Sequence, residues 1–127
     1  MKIEISIGEV VDKVTILEIK KEKFRDVEKL KNVQKEYQLL KKYIEEAGIK
    51  NNSSEFLKLK EVNQKLWHIE DNIRIKESKG EFDDEFIQLA RSVYFENDDR
   101  AAIKKEINLN FGSGLIEEKE YVNYKKS

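Results

Sequence analysis

Apolar residues recur at helical spacing along most of this chain. Leu30, Val33, Tyr37, Leu40, Ile44 and Ala47 follow one another at gaps of 3, 4, 3, 4 and 3 residues, and Leu59, Val62, Leu66, Ile69 and Ile73 at gaps of 3, 4, 3 and 4. Heptad seams of this kind are the signature of helices that pack in coiled-coil fashion. They predict a long antiparallel helical hairpin, about 26–47 and 54–79. Val10, Val14 and Leu17 predict a further helix at about 7–24, and Phe86, Leu89, Ala90 and Val93 another at about 83–110. In that last segment the apolar pattern fails at ENDDR, residues 96–100, so a break or kink is expected near 97–99. Residues 2–5 alternate and predict a short extended segment or strand.

Stop and start signals agree with this division. Glycine occurs five times and proline never, and spans 9–47, 49–79 and 81–111 contain neither. Gly48, Gly80 and Gly112 stand where helices need a left-handed closing residue. Ser6 lies three residues before Glu9 in capping-box spacing, and Asp26 and Asp83 are good N-caps. Phe82 and Ile87 sit at staple positions around the last of these. The tail carries Leu115, Ile116, Tyr121 and Tyr124, more apolar mass than a free end needs, and is expected to pack. The fold class is therefore all-α, one helical domain over 1–127.

Composition narrows the function classes. Charged residues make up 40% of the chain and hydrophobic residues 39%, with a net charge of −1. Thin apolar stripes on such highly charged helices invite burial against a second subunit, and a homodimer is expected. Residues 1–80 hold 18 basic and 15 acidic groups, residues 81–114 hold 4 and 8. No basic stripe marks a nucleic-acid footprint, and no apolar run approaches the ~20 residues of a membrane span. Cysteine is absent, which removes disulfides, thiolate metal sites and cysteine nucleophiles. The expectation is a cytoplasmic protein binding neither nucleic acid nor membrane.

Candidate chemistry is sparse. The single histidine, His68, lies between Trp67 and Ile69, a surface or interface position. No phosphate-cradling glycine motif is present. Glu9 with Asp12 and Glu96 with Asp99 each have the i, i+3 spacing that lets two carboxylates share a hard cation such as Mg²⁺. A second group comprises Glu70, Asp71, Arg74, Arg91, Tyr94, Asp98 and Arg100. Glu70 and Arg74 can pair along a helix, and arginines within a bundle can hold a carboxylate or phosphate by forked hydrogen bonds. The expectation is one partly buried network that includes Arg74 and Arg91.

The stretches GEVVDKVTILEIK (8–20), LWHIEDNIR (66–74), FIQLARSVYFENDDRAAIKKEIN (86–108) and GSGLIEEKEY (112–121) together resemble a small uncharacterised family of bacterial and phage proteins, a domain of unknown function. The resemblance spans nearly the whole chain and implies no activity. It directs attention to Glu9, Asp12, Lys13, Glu70, Asp71, Arg74, Arg91, Asn97, Asp98, Arg100 and Glu118. Two function classes stay open: an oligomeric helical protein-binding or scaffold protein, and a small enzyme or sensor with an anion- or metal-binding pocket between helices.

Overall fold

The computed structural model describes residues 1–124. Its four helices are α1 (Ile7–Lys23), α2 (Val27–Glu46), α3 (Ser54–Lys79) and α4 (Asp84–Asn110), with no strand among the described residues. Residues 1–6 form neither helix nor strand, and Ser6 at their end has extended backbone.

Each helix starts on a side-chain cap. Ser6, Asp26, Ser53 and Asp83 accept from the backbone N–H groups of Glu9, Lys29, Phe56 and Phe86. The far end of α2 closes in a Schellman turn. Gly48 at φ +81° lets its own N–H reach Glu45 and that of Ile49 reach the Ile44 carbonyl. Ile44 and Ile49 are both buried, so the turn is sealed by its own apolar contact. At the start of α4, Phe82 packs edge-to-face on Phe86 at 5.3 Å, while Ile87 stays about half exposed.

The helices in contact are α1 with α2, α3 with α4, and α1 with both α3 and α4. The seams of α2 and α3 both enter a core to which α1 contributes Val11, Val14 and Leu17. Val33, Tyr37, Ile44 and Ile49 come from α2 and the turn after it, Phe56 and Leu59 from α3, and Ile107 from α4. The backbones of α2 and α3 do not approach each other closely; both pack on the apolar face of α1.

The anticipated break near 97–99 does not occur: α4 runs unbroken through ENDDR. The apolar pattern fails there because Arg100 turns toward a buried carboxylate of α1, so a polar side chain occupies an inward position.

Burial along the α3–α4 pair is uneven. Buried residues of α3 are Phe56, Leu59, Val62 and Asn63, and those of α4 are Lys104, Ile107 and Asn108. Between Asn63 and Lys104 no residue is buried. The outer halves of α3 and α4 thus form a two-helix arm beyond the core, about 20 Å long at 1.5 Å per residue. Phe24, in the α1–α2 turn, meets Trp67 with ring centroids 6.2 Å apart, placing that turn at the root of the arm.

Candidate functional site

The polar face of α1 lies against α4. Gly8 permits the approach: a Cβ there would fall 2.5 Å from the Lys104 carbonyl oxygen. The Gly8 N–H donates to Asn108 Oδ1 at 2.6 Å, and the Ile7 N–H to Ser113 Oγ at 3.1 Å. Glu9 and Asp12, three apart on α1, then face Lys104 and Arg100, four apart on α4. Lys104 Nζ lies 2.7 Å from Glu9 Oε2. Arg100 grips Asp12 with Nε and Nη2.

Asp12 is only 1% exposed, so its charge depends on these partners. Asn63 Nδ2 also donates to Asp12 Oδ1, at 2.9 Å, and to Thr15 Oγ1, at 2.9 Å. Thr15 in turn donates to the Asp12 carbonyl. A carboxylate only accepts, so the Asn63 amide is fixed with its nitrogen toward Asp12. Asp12 likewise holds the Arg100 pKa above its ordinary value through the hydrogen bond.

Beside this network lies a cleft of about 500 Å³ between α1, α3 and α4. Ile16, Ile19, Leu66 and Trp67 supply its apolar wall, and Asn63, Glu70, Asp71, Arg74, Asn97 and Arg100 its polar groups. Four of the seven residues grouped from sequence, Glu70, Asp71, Arg74 and Arg100, therefore share one concave space, together with Asn97. Glu70 and Arg74 pair at 3.6 Å, but both are exposed, Arg74 with 78% of its side chain open.

The other three lie elsewhere. Arg91 is exposed and bonds Gln88 and the Tyr94 hydroxyl on its own helix. Tyr94 packs with Phe95 and Tyr124, and the Tyr124 hydroxyl donates to Asp98. That bond raises the Tyr124 pKa to about 12. Arg74 and Arg91 thus do not share a network. The tail runs back along α4, where Lys104 and Lys105 also meet Glu117 and Glu118. Residues 125–127, the end of the tail read from sequence, lie outside the described residues.

The carboxylates proposed for a cation are placed differently from one another. Glu9 and Asp12 are engaged by Lys104 and Arg100, Asp99 is exposed, and Glu96 Oε2 is buried without a hydrogen-bond partner. Among the described residues no group of three or more His, Asp or Glu side chains is arranged to hold a metal ion. His68 is exposed on α3.

A second buried-edge cluster joins α1, α2 and α3. Glu18 accepts from the Tyr37 hydroxyl at 3.0 Å and from Lys60 at 2.9 Å, and Lys60 also reaches Glu22. Burial, then the charge of Glu18, raises the Tyr37 pKa to about 12. Burial works against the Lys60 charge, yet the hydrogen bonds to Glu18 and Glu22 leave its pKa raised.

Sequence reasoning missed Gly8, Thr15, Asn63 and Asn108 and did not place Lys104, one turn from Arg100, in a site. A usable signal was present: an acidic pair at 9 and 12 and a basic pair at 100 and 104 have nearly matching spacing, as two facing antiparallel helices require. Asn63 was marked only by standing next to the heptad residue Val62.

No described helix is long and apolar enough to cross a membrane. Comparison with curated proteins and with solved structures finds no match. The family comparison does: with residues 1–126 matched, the chain belongs to a family of unknown function, DUF6165.

Proposed function

We propose that this protein is an oligomeric helical binding or scaffold protein, acting through protein–protein contact at the α3–α4 arm. One observation carries the reading. Over the arm, Ile75, Phe82, Ile87, Tyr94 and Phe95 leave 38–61% of their surface open, and Ile69, Ile73, Phe86, Leu89 and Val93 are incompletely buried. Two helices alone have no third layer to bury such a seam. Aromatic side chains bury roughly 150–250 Å² each when covered. The open parts of Ile75, Phe82, Ile87, Tyr94 and Phe95 give the arm apolar area that a partner can cover.

The test is a variant that makes the arm polar without touching the core, Ile75→Asp with Ile87→Asp. The expected result is unchanged helicity and a loss of self-association of about ten-fold or more by analytical ultracentrifugation. A parent protein that stays monomeric at tens of micromolar (about that range), with the arm variant behaving identically, overturns it.

The alternative, a small enzyme or sensor with a ligand pocket, rests on the cleft at the arm root. In its favour, Asn63 and Arg100 are held rigidly there. Against an anion site, the forked edge of Arg100 is already filled by Asp12.

A further inference from the structure

The arm and the turn at its root carry opposite charge. Residues 66–99 hold ten acidic and four basic groups, a net of −6. Residues 20–35, which span the α1–α2 turn, hold seven basic and three acidic groups, a net of +4. The acids concentrate at the arm tip as Glu77, Glu81, Asp83, Asp84 and Glu85. Lys76 draws Glu81, Asp83 and Glu85 around its amine at 2.8–3.3 Å, and Glu77 and Asp84 remain exposed. At the root, Lys23, Arg25 and Lys29 are exposed.

We infer that the occupant of the arm is the arm of a second copy of this chain, laid antiparallel so that each acidic tip meets the other's basic α1–α2 turn. This deepens the self-association reading above and rests on it. Three observations converge. The exposed apolar residues of two arms, Ile75, Phe82 and Ile87 among them, complete a four-helix bundle in which every helix has a second layer. The antiparallel order brings tip to root and is closed by a two-fold axis near mid-arm, at about Ala90 on α4. Charge then selects between orders: a parallel pairing would set two acidic tips side by side, whereas the antiparallel pairing sets tip acids against root bases. The cleft at the root, walled by Leu66 and Trp67, lies where the exposed Phe82 of the other tip arrives.

The chain has no cysteine, so single-cysteine variants report geometry directly. Under mild oxidation Ala90→Cys is expected to link to itself, Lys79→Cys at the tip to fail to do so, and a mixture of Lys79→Cys with Arg25→Cys to give the mixed dimer. Raising salt should weaken association, and Glu77→Lys with Asp84→Lys should weaken it by about ten-fold or more. Mixing that variant with Lys23→Glu and Arg25→Glu should restore a heterodimer. Tip-to-tip links overturn the proposal in favour of a parallel pair. A dimer in which no arm position links overturns it while leaving self-association intact. A monomer overturns both.

Discussion

Asp12 and Arg100 stand 88 residues apart and share a two-pronged hydrogen bond, with Arg100 Nε 2.9 Å from Asp12 Oδ1. The carboxylate is buried and the guanidinium partly open, so the pair joins α1 to α4 across the edge of the core. Removing the arginine strands a buried charge. Arg100→Ala should cost about 3–5 kcal/mol in urea denaturation. Arg100→Lys keeps the charge but loses the fork and should recover only part of that. A loss below about 1 kcal/mol for Arg100→Ala would show that water or protonation satisfies Asp12 without it.

Glu70 and Arg74 make the opposite case. They pair at 3.6 Å with both side chains largely in solvent. Glu70→Gln and Arg74→Gln should each change stability by less than about 1 kcal/mol. A larger loss in both, measured in the same denaturation series, would mean that the pair is covered in solution.

Gly8 is required by contact rather than by its backbone angle. Any Cβ there meets the Lys104 carbonyl at 2.5 Å, and backbone cannot swing aside. Gly8→Ala should destabilise by about 1–3 kcal/mol, through forced separation of α1 and α4. Gly114→Ala is the control, because nothing lies within 4 Å of that position. It should stay within about 0.5 kcal/mol. Thermal denaturation of the two variants side by side checks both values.

Alkaline pH should loosen the α1–α2–α3 edge. The folded state raises the Tyr37 pKa from 10.0 to about 12, so the neutral phenol is the form that folding favours. Its contribution is complete below pH 10 and is lost as pH rises from there toward 12. Lys60, also raised, works in the same direction. Stability should fall across that window, and less steeply in Tyr37→Phe. Tyrosinate absorbance should show Tyr37 and Tyr124 ionising above the ordinary tyrosine value of 10.0, toward about 12.

The helices and their ends were legible because each is set by neighbours in sequence. Ser6, Asp26 and Asp83 cap within one turn, and Gly48, Gly80 and Gly112 all take positive φ. What periodicity leaves open is which helix receives a seam. The stripe of α2 reads alike whether it faces α3 or α1, and the weaker stripe of α1 turned out to be the common partner. The polar site was half legible for the same reason. Glu9 and Asp12 look like a pair that wants a cation, and although the basic pair at 100 and 104 has nearly matching spacing, spacing alone does not say that these two helices face each other. Glu96–Arg100 reads as a helix break in one dimension because the apolar counterpart it lacks is replaced by Asp12 in three.

Helices α3 and α4 pass from the core into the arm without a glycine, a proline or an interruption in their hydrogen bonding. The arm is therefore a strut rather than a tether. Its backbone is ordered when the core folds, so a molecule that settles along it finds little chain entropy left to remove. Affinity there is governed by the fit of side chains. Its orientation is fixed by the same packing that holds Asn63 and Arg100 around Asp12.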